Sequence, residues 1–117
     1  MMLSVNEKNF SDVVLNSSEP VIVHFWAPWC GLCRLIVPLL HKAQSDSAGH
    51  IQVVGVNADE NFKLANTYRL KSLPTIILFE NGQIVRRIEG FNGRDELQRN
   101  LNSLTTKVWA QSAGISL

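Results

Sequence analysis

This chain lacks any excess of positive or negative charge: 11 lysines and arginines stand against 10 aspartates and glutamates, for a net charge of +1. So even a balance argues against a nucleic-acid footprint or an acidic tail. Cysteine is scarce. Two cysteines and three histidines cannot build a multi-disulfide scaffold or a self-contained four-cysteine zinc site. No apolar run approaches the length that spans a bilayer. Met1 to Asp12 carry neither a basic segment nor an apolar stretch, so no secretory leader is visible and a soluble protein of the cytoplasm is expected. There is no glycine-rich phosphate loop and no dinucleotide fingerprint, so the chain is not expected to bind a nicotinamide cofactor itself. Repeats, low-complexity tracts and linkers are absent too. What is there is 117 residues, 45% hydrophobic and 18% charged, the composition of one folded domain.

Prolines, glycines and one Asn-Gly pair divide the chain into short segments. Asn6 can cap a helix over residues 7–16, with Phe10, Val13 and Val14 as its buried face. Val21–Trp26 is short, β-branched and almost wholly apolar, as a strand covered on both faces would be. Residues 30–48 have helical spacing at Leu35, Ile36, Leu39, Leu40 and Ala43. Pro38 lies inside that pattern and predicts a kink. A second buried strand is expected over 51–56, and a short helix over 60–68 capped by Asp59. Residues 75–79 and 84–88 flank Asn81-Gly82, a pair suited to a tight hairpin turn. Alternation on the returning strand puts Arg87 and Glu89 on one face. Asn92 can cap a last helix bearing Leu97, Leu101 and Leu104. Residues 105–117 are weakly patterned, with Trp109 a candidate to pack back on the domain. Strands alternating with helices predict an α/β domain, a central mixed β-sheet with helices on both faces.

The most informative stretch is Trp29-Cys30-Gly31-Leu32-Cys33, where a buried strand ends and a helix begins. Unpaired N–H groups at a helix start favour an anion, so a thiolate at Cys30 would be stabilised there. Cys30 lies at the lip and Cys33 one turn inward. Attack by Cys30 on a partner disulfide would give a mixed disulfide that Cys33 resolves. Two blander readings compete, a passive disulfide and half of a shared zinc site. A reducing compartment disfavours the first. The second needs further ligands, and His24, His41 and His50 stand at no familiar ligand spacing.

At these residues the sequence resembles the thioredoxin family. Phe25 to Cys33 is similar to its active-site block, Pro38 to the proline of its kinked helix, and Ser72-Leu73-Pro74-Thr75 to its cis-proline loop. Phe79-Glu80-Asn81-Gly82 and Gly90 match its hairpin and the glycine after its last strand. The likeness covers about residues 3–104, so residues 1–104 are read as a thioredoxin domain of thioredoxin-like fold and 105–117 as an extension of unknown role. The resemblance implies a protein-disulfide oxidoreductase with Cys30 as nucleophile, Cys33 as resolving thiol and Pro74 in cis. It implies that Leu73 offers its backbone to an extended substrate, with Trp29, Gly90 and Phe91 completing an apolar rim. Trp26, Trp29, Gly31, Leu32 and Pro74 would support the active-site turn. The expected partners are oxidised protein substrates and a separate reductase, thioredoxin reductase or another dithiol donor. The chain is read as a monomer that needs no metal or organic cofactor and engages neither nucleic acid nor membrane. A second reading is a redox-dependent protein-binding or adaptor module that uses the Trp29, Leu73 and Phe91 surface with little turnover.

Three residues depart from the family pattern. Leu32 replaces the usual proline between the cysteines and restores a backbone donor. His24 stands where the family has a buried aspartate behind the second cysteine, and Gly55 where that aspartate's lysine partner lies. Loss of both charges together is consistent, because one left alone would be costly. Without the carboxylate a thiolate is less disfavoured. The couple is therefore expected to be less reducing than the roughly −270 mV of thioredoxin. His24 is either a proton acceptor for Cys33 or a neutral, space-filling imidazole. Arg34 is a surface cation beside the cysteines, and Arg86, Arg87 and Arg94 read as a solvated edge.

Overall fold

A computed structural model of the chain describes residues 2–112, with side chains through residue 103. Its order is β1 (Leu3–Ser4), a π-helical turn (Ser11–Leu15), β2 (Val21–Trp26), α1 (Gly31–Leu35), α2 (Val37–Asp46), β3 (Gln52–Asn57), a 3-10 turn (Ala58–Glu60), α3 (Phe62–Thr67), β4 (Thr75–Glu80), β5 (Gln83–Ile88) and α4 (Arg94–Ser112). Five strands form one sheet in the order β1-β3-β2-β4-β5. β1, β3 and β2 run parallel, whereas β4 is antiparallel to β2 and β5. This is the mixed α/β sheet that the segment order predicts.

β2 lies at the centre, and its alternating side chains supply both cores. Val21, Val23 and Phe25 face the π-helical turn and α3, where Phe10, Val14, Val54, Val56, Ile77 and Phe79 join them. Ile22 faces the other way, toward Leu40 of α2, Leu97 and Leu101 of α4, and Ile76 and Leu78 of β4. A strand covered on both faces has no place for a charge. Each large apolar side chain removed from water there contributes about 1.5–3 kcal/mol.

Several local expectations are corrected. β1 is too short for a pattern to reveal, and exists because Leu3 and Ser4 pair with Val54 and Gly55. Asn6 does cap the first segment, accepting from the N–H groups of Lys8 (2.8 Å) and Asn9 (3.2 Å). The capped segment is not a regular helix, however. The Asn16 N–H reaches back five residues to the Ser11 carbonyl (2.9 Å), which widens the turn. The helix over 30–48 does break, at Ile36, two residues ahead of the expected proline. Pro38 lies in the first turn of α2, where its missing N–H leaves no bond unmade. Asp59 is not a cap: Asn57 caps the 3-10 turn, accepting from the Asp59 N–H at 2.9 Å. Asn92 precedes α4 by two residues, and its N–H is held by Glu96 Oε2 (2.7 Å). α4 itself continues through Ser112. The readings on Leu104 and Trp109 lie outside the described side chains.

Arg87 is not part of a solvated edge. It pairs with Glu89 (3.1 Å), as their shared face predicts. Its guanidinium also donates to the carbonyl of Tyr68 and to that of Arg69 (3.0 Å). It thereby satisfies carbonyls left open where α3 ends. The hairpin turn behaves as expected: Asn81 and Gly82 both take positive φ, at 52° and 77°. Glycine is required at the second position twice over, because a Cβ on Gly82 would lie 2.9 Å from the Leu15 carbonyl oxygen.

Candidate active site

The parallel strands β2 and β3 end together, with Trp26 beside Asn57. Loops at the carboxyl ends of such strands are where open α/β sheets place their sites. The loop after β2 turns at Ala27, whose carbonyl accepts the Cys30 N–H (3.1 Å). Cys30 then becomes the N-cap of α1, in extended backbone geometry, and its Sγ accepts the N–H of Cys33 (3.1 Å). That contact is the helix-start stabilisation of sulfur that the sequence spacing implies. The two sulfurs are joined in a disulfide, with their Cα atoms 5.3 Å apart. Cys30 is 6% exposed and Cys33 1%. Cys30 is therefore not at an exposed lip as expected: both cysteines are buried, Cys30 slightly less than Cys33.

Neighbouring side chains secure the turn. The Arg34 guanidinium donates to the Pro28 carbonyl. Trp29 is 68% exposed, yet its indole N–H is tethered to Asp59 Oδ2 at 3.0 Å. No local signal marks this role for Asp59, because 30 residues separate the partners and only the adjacency of β2 and β3 unites them. Gly31 has open space around the position of a Cβ, and Leu32 packs on the core that contains Ile36.

The second loop of the site comes from β4. Phe25 and Thr75 are cross-strand partners, so the start of β4 lies beside the end of β2 that leads to Cys30. The Leu73-Pro74 bond is cis. Thr75 Oγ1 donates to the Ser72 carbonyl (2.7 Å), bracing this turn. Leu73 is half-buried and Pro74 buried. Gly90 is exposed and takes a left-handed φ of 66°. Phe91 departs from the expected rim: it is 8% exposed and packs in the core with Leu97 and Leu101. Of the large apolar side chains expected in that rim, Trp29 is the exposed one.

His24 and Gly55 occupy paired positions on β2 and β3. The two positions that lack the family's buried ion pair are thus neighbours. His24 is 1% exposed. Neither ring nitrogen has a hydrogen-bond partner among the described residues. Burial lowers its pKa from 6.5 to about 4, so the ring is neutral near neutrality. His24 and Cys33 line the same cavity. Among the described residues no cluster of three or more histidine, cysteine or acidic side chains could hold a metal, and no helix is long and apolar enough to cross a membrane.

A mixed sheet with a Cys-x-x-Cys pair at the start of α1, next to a cis-proline loop, defines a protein built for thiol–disulfide exchange. Comparison with known proteins agrees. The Thioredoxin family profile matches residues 1–103. The chain is similar to a thioredoxin of Haemophilus influenzae, 36% identical over 101 residues that cover 86% of this chain and 94% of the relative. It is similar to thioredoxin 1 of a Nostoc species, 40% identical over 97 residues covering 83% and 91%. It also matches a bifunctional thioredoxin reductase/thioredoxin of Mycobacterium leprae, 37% identical over 106 residues that cover 91% of this chain and 23% of that protein. The chain belongs to the thioredoxin family, and it is a thiol–disulfide oxidoreductase.

Proposed function

We propose that the chain reduces disulfides of protein substrates in the cytoplasm as a monomer, with Cys30 as nucleophile and Cys33 as resolving thiol. The Cys30 thiolate attacks one sulfur of the substrate disulfide, and the other sulfur leaves and takes a proton. Cys33 then gives up its proton and attacks Cys30 Sγ, releasing the second substrate thiol and closing the Cys30–Cys33 bridge. Two electrons have passed to the substrate. A separate dithiol donor must return them, and the fused Mycobacterium leprae relative suggests a thioredoxin reductase. The observation that carries this reading is the acceptance of the Cys33 N–H by Cys30 Sγ at the start of α1. The same contact stabilises a thiolate in the open form.

The substrate strand is expected to pair with the backbone at Leu73, beside Pro74, and to lie against Trp29 and Gly90. Two features support a couple less reducing than ordinary thioredoxin. Leu32 carries a backbone N–H near the helix start, and no carboxylate occupies either His24 or Gly55. For His24 the lowered pKa favours the space-filling role, since an imidazole that resists protonation is a poor acceptor for a thiol proton. Insulin-disulfide reduction tests the main reading. Turnover that disappears in Cys30→Ser supports it. No turnover by the wild type, with partner capture surviving Cys30→Ser and Cys33→Ser, would favour the adaptor reading instead.

A further inference from the structure

Behind the bridge, away from the surface where a substrate disulfide would approach, lies a cavity of about 310 Å³. Its lining includes the buried His24 and Cys33, with Gly55, Met2, Trp26 and Val37. Trp29, Leu73, Pro74 and Gly90 do not line it. Gly55 lets two of the walls close in on it: a Cβ there would meet Met2 Sδ at 3.2 Å and Trp26 Nε1 at 3.3 Å. An engineered cavity of about 150 Å³ holds benzene, and small-molecule sites begin near 300 Å³. The space therefore suits a ligand of about ten non-hydrogen atoms.

The charge of the lining is one-sided. Arg34, in an exposed position, supplies the charge, His41 adds an imidazole, and no Asp or Glu lines the cavity among the described residues. A guanidinium has five N–H donors, and among the described residues Arg34 commits one to Pro28. His24, fully buried and without a hydrogen-bond partner among the described residues, adds a polar group to the lining that nothing described in the fold satisfies.

We propose that this cavity binds a small monocarboxylate with an apolar body. The carboxylate lies toward Arg34 and His41 at the mouth, and the hydrocarbon lies between Met2, Trp26 and Val37. A carboxylate is favoured over an uncharged head because a guanidinium binds it through charge-assisted hydrogen bonds. The apolar body follows from the walls. Cys33 lines the cavity, so occupancy and redox state are coupled. In the open form the thiolate is Cys30, outside the cavity, and a negative charge bound at the mouth disfavours it through space. The ligand then prefers the bridged form and, reciprocally, makes the couple more reducing. This coupling rests on the proposed exchange chemistry, whereas binding to the bridged chain does not.

The test is an NMR titration of the bridged full chain, read at the Trp26 indole N–H. The probes are hexanoate, phenylacetate and hexan-1-ol. Saturable binding of either acid is expected with a dissociation constant on the order of 1 mM, and the tighter acid tells an alkyl body from an aryl one. Hexan-1-ol is expected to bind about fivefold more weakly or worse. Arg34→Gln should weaken the acids about fivefold and leave the alcohol unchanged. Val37→Trp should abolish both. The proposal is overturned if neither acid saturates by about 20 mM, if the alcohol binds as tightly as the acids, or if Arg34→Gln leaves the acids unaffected. Arg34 is exposed, so that variant decides the matter even where Val37→Trp does not fold. A tenfold preference for the bridged form would lower the potential by about 30 mV at saturation. Equal affinity for the two redox forms overturns the coupling alone. A chain that binds hexanoate but reduces no disulfide keeps the cavity site and loses the proposed reductase.

Discussion

The sharpest consequence of the fold is a pH dependence centred on His24. In the unfolded chain its imidazole titrates near 6.5, and in the folded chain near 4, because burial in the sheet penalises the cation. Between those values the unfolded chain binds more protons than the folded one, so the free energy of unfolding rises with pH. This contribution is complete above pH 6.5, is lost as pH falls toward 4, and levels off below. At about 1.4 kcal/mol per pH unit the full span amounts to about 3 kcal/mol, of which about 2.5 is lost by pH 4.5. His24→Leu removes the titrating group and retains an apolar side chain of similar size. Urea unfolding of the bridged wild type and variant at pH 7.5 and 4.5 isolates the effect, since all other groups cancel in the comparison. At pH 7.5 the variant should be at least as stable as the wild type, because two buried nitrogens without partners among the described residues are replaced by hydrocarbon. At pH 4.5 its advantage should grow by about 2.5 kcal/mol. An advantage that is the same at both pH values would refute the claim that His24 is held neutral by burial.

Equilibration with glutathione should place the Cys30–Cys33 couple above roughly −270 mV; a value at or below that would remove the argument from Leu32 and the missing carboxylate. His24→Ala should leave the rate of mixed-disulfide resolution unchanged from about pH 6 to 8, where an ordinary imidazole titrates, and a lost pH step would revive the proton-acceptor role. Arg87→Met should destabilise the protein by about 1–3 kcal/mol in thermal or urea unfolding, because the carbonyls of Tyr68 and Arg69 lose their donor; a neutral result would show that water replaces it. Gly82→Ala should cost about 2 kcal/mol or more, as its Cβ meets the Leu15 carbonyl and its φ stays positive.

The central sheet, the exchange chemistry and the helix break are legible in the residues alone. β-branched apolar runs such as Val21–Trp26 suit buried strands, Asn81-Gly82 suits a tight turn, and a Cys-x-x-Cys pair at a strand-to-helix junction places sulfur where backbone N–H groups are unpaired. These are local properties, carried by neighbouring residues. Other features exist only because distant segments meet in the folded chain. β1 is a strand because Leu3 and Ser4 reach β3. Asp59 holds Trp29 because two parallel strands end side by side. Arg87 serves the end of α3 across 18 or more positions, and Phe91 turns into the core. The cavity behind Cys33 needs residues 2–4, β2, α1, α2 and Gly55 together. No periodicity encodes an empty space, because its existence depends on which side chains fail to meet once the whole chain has packed.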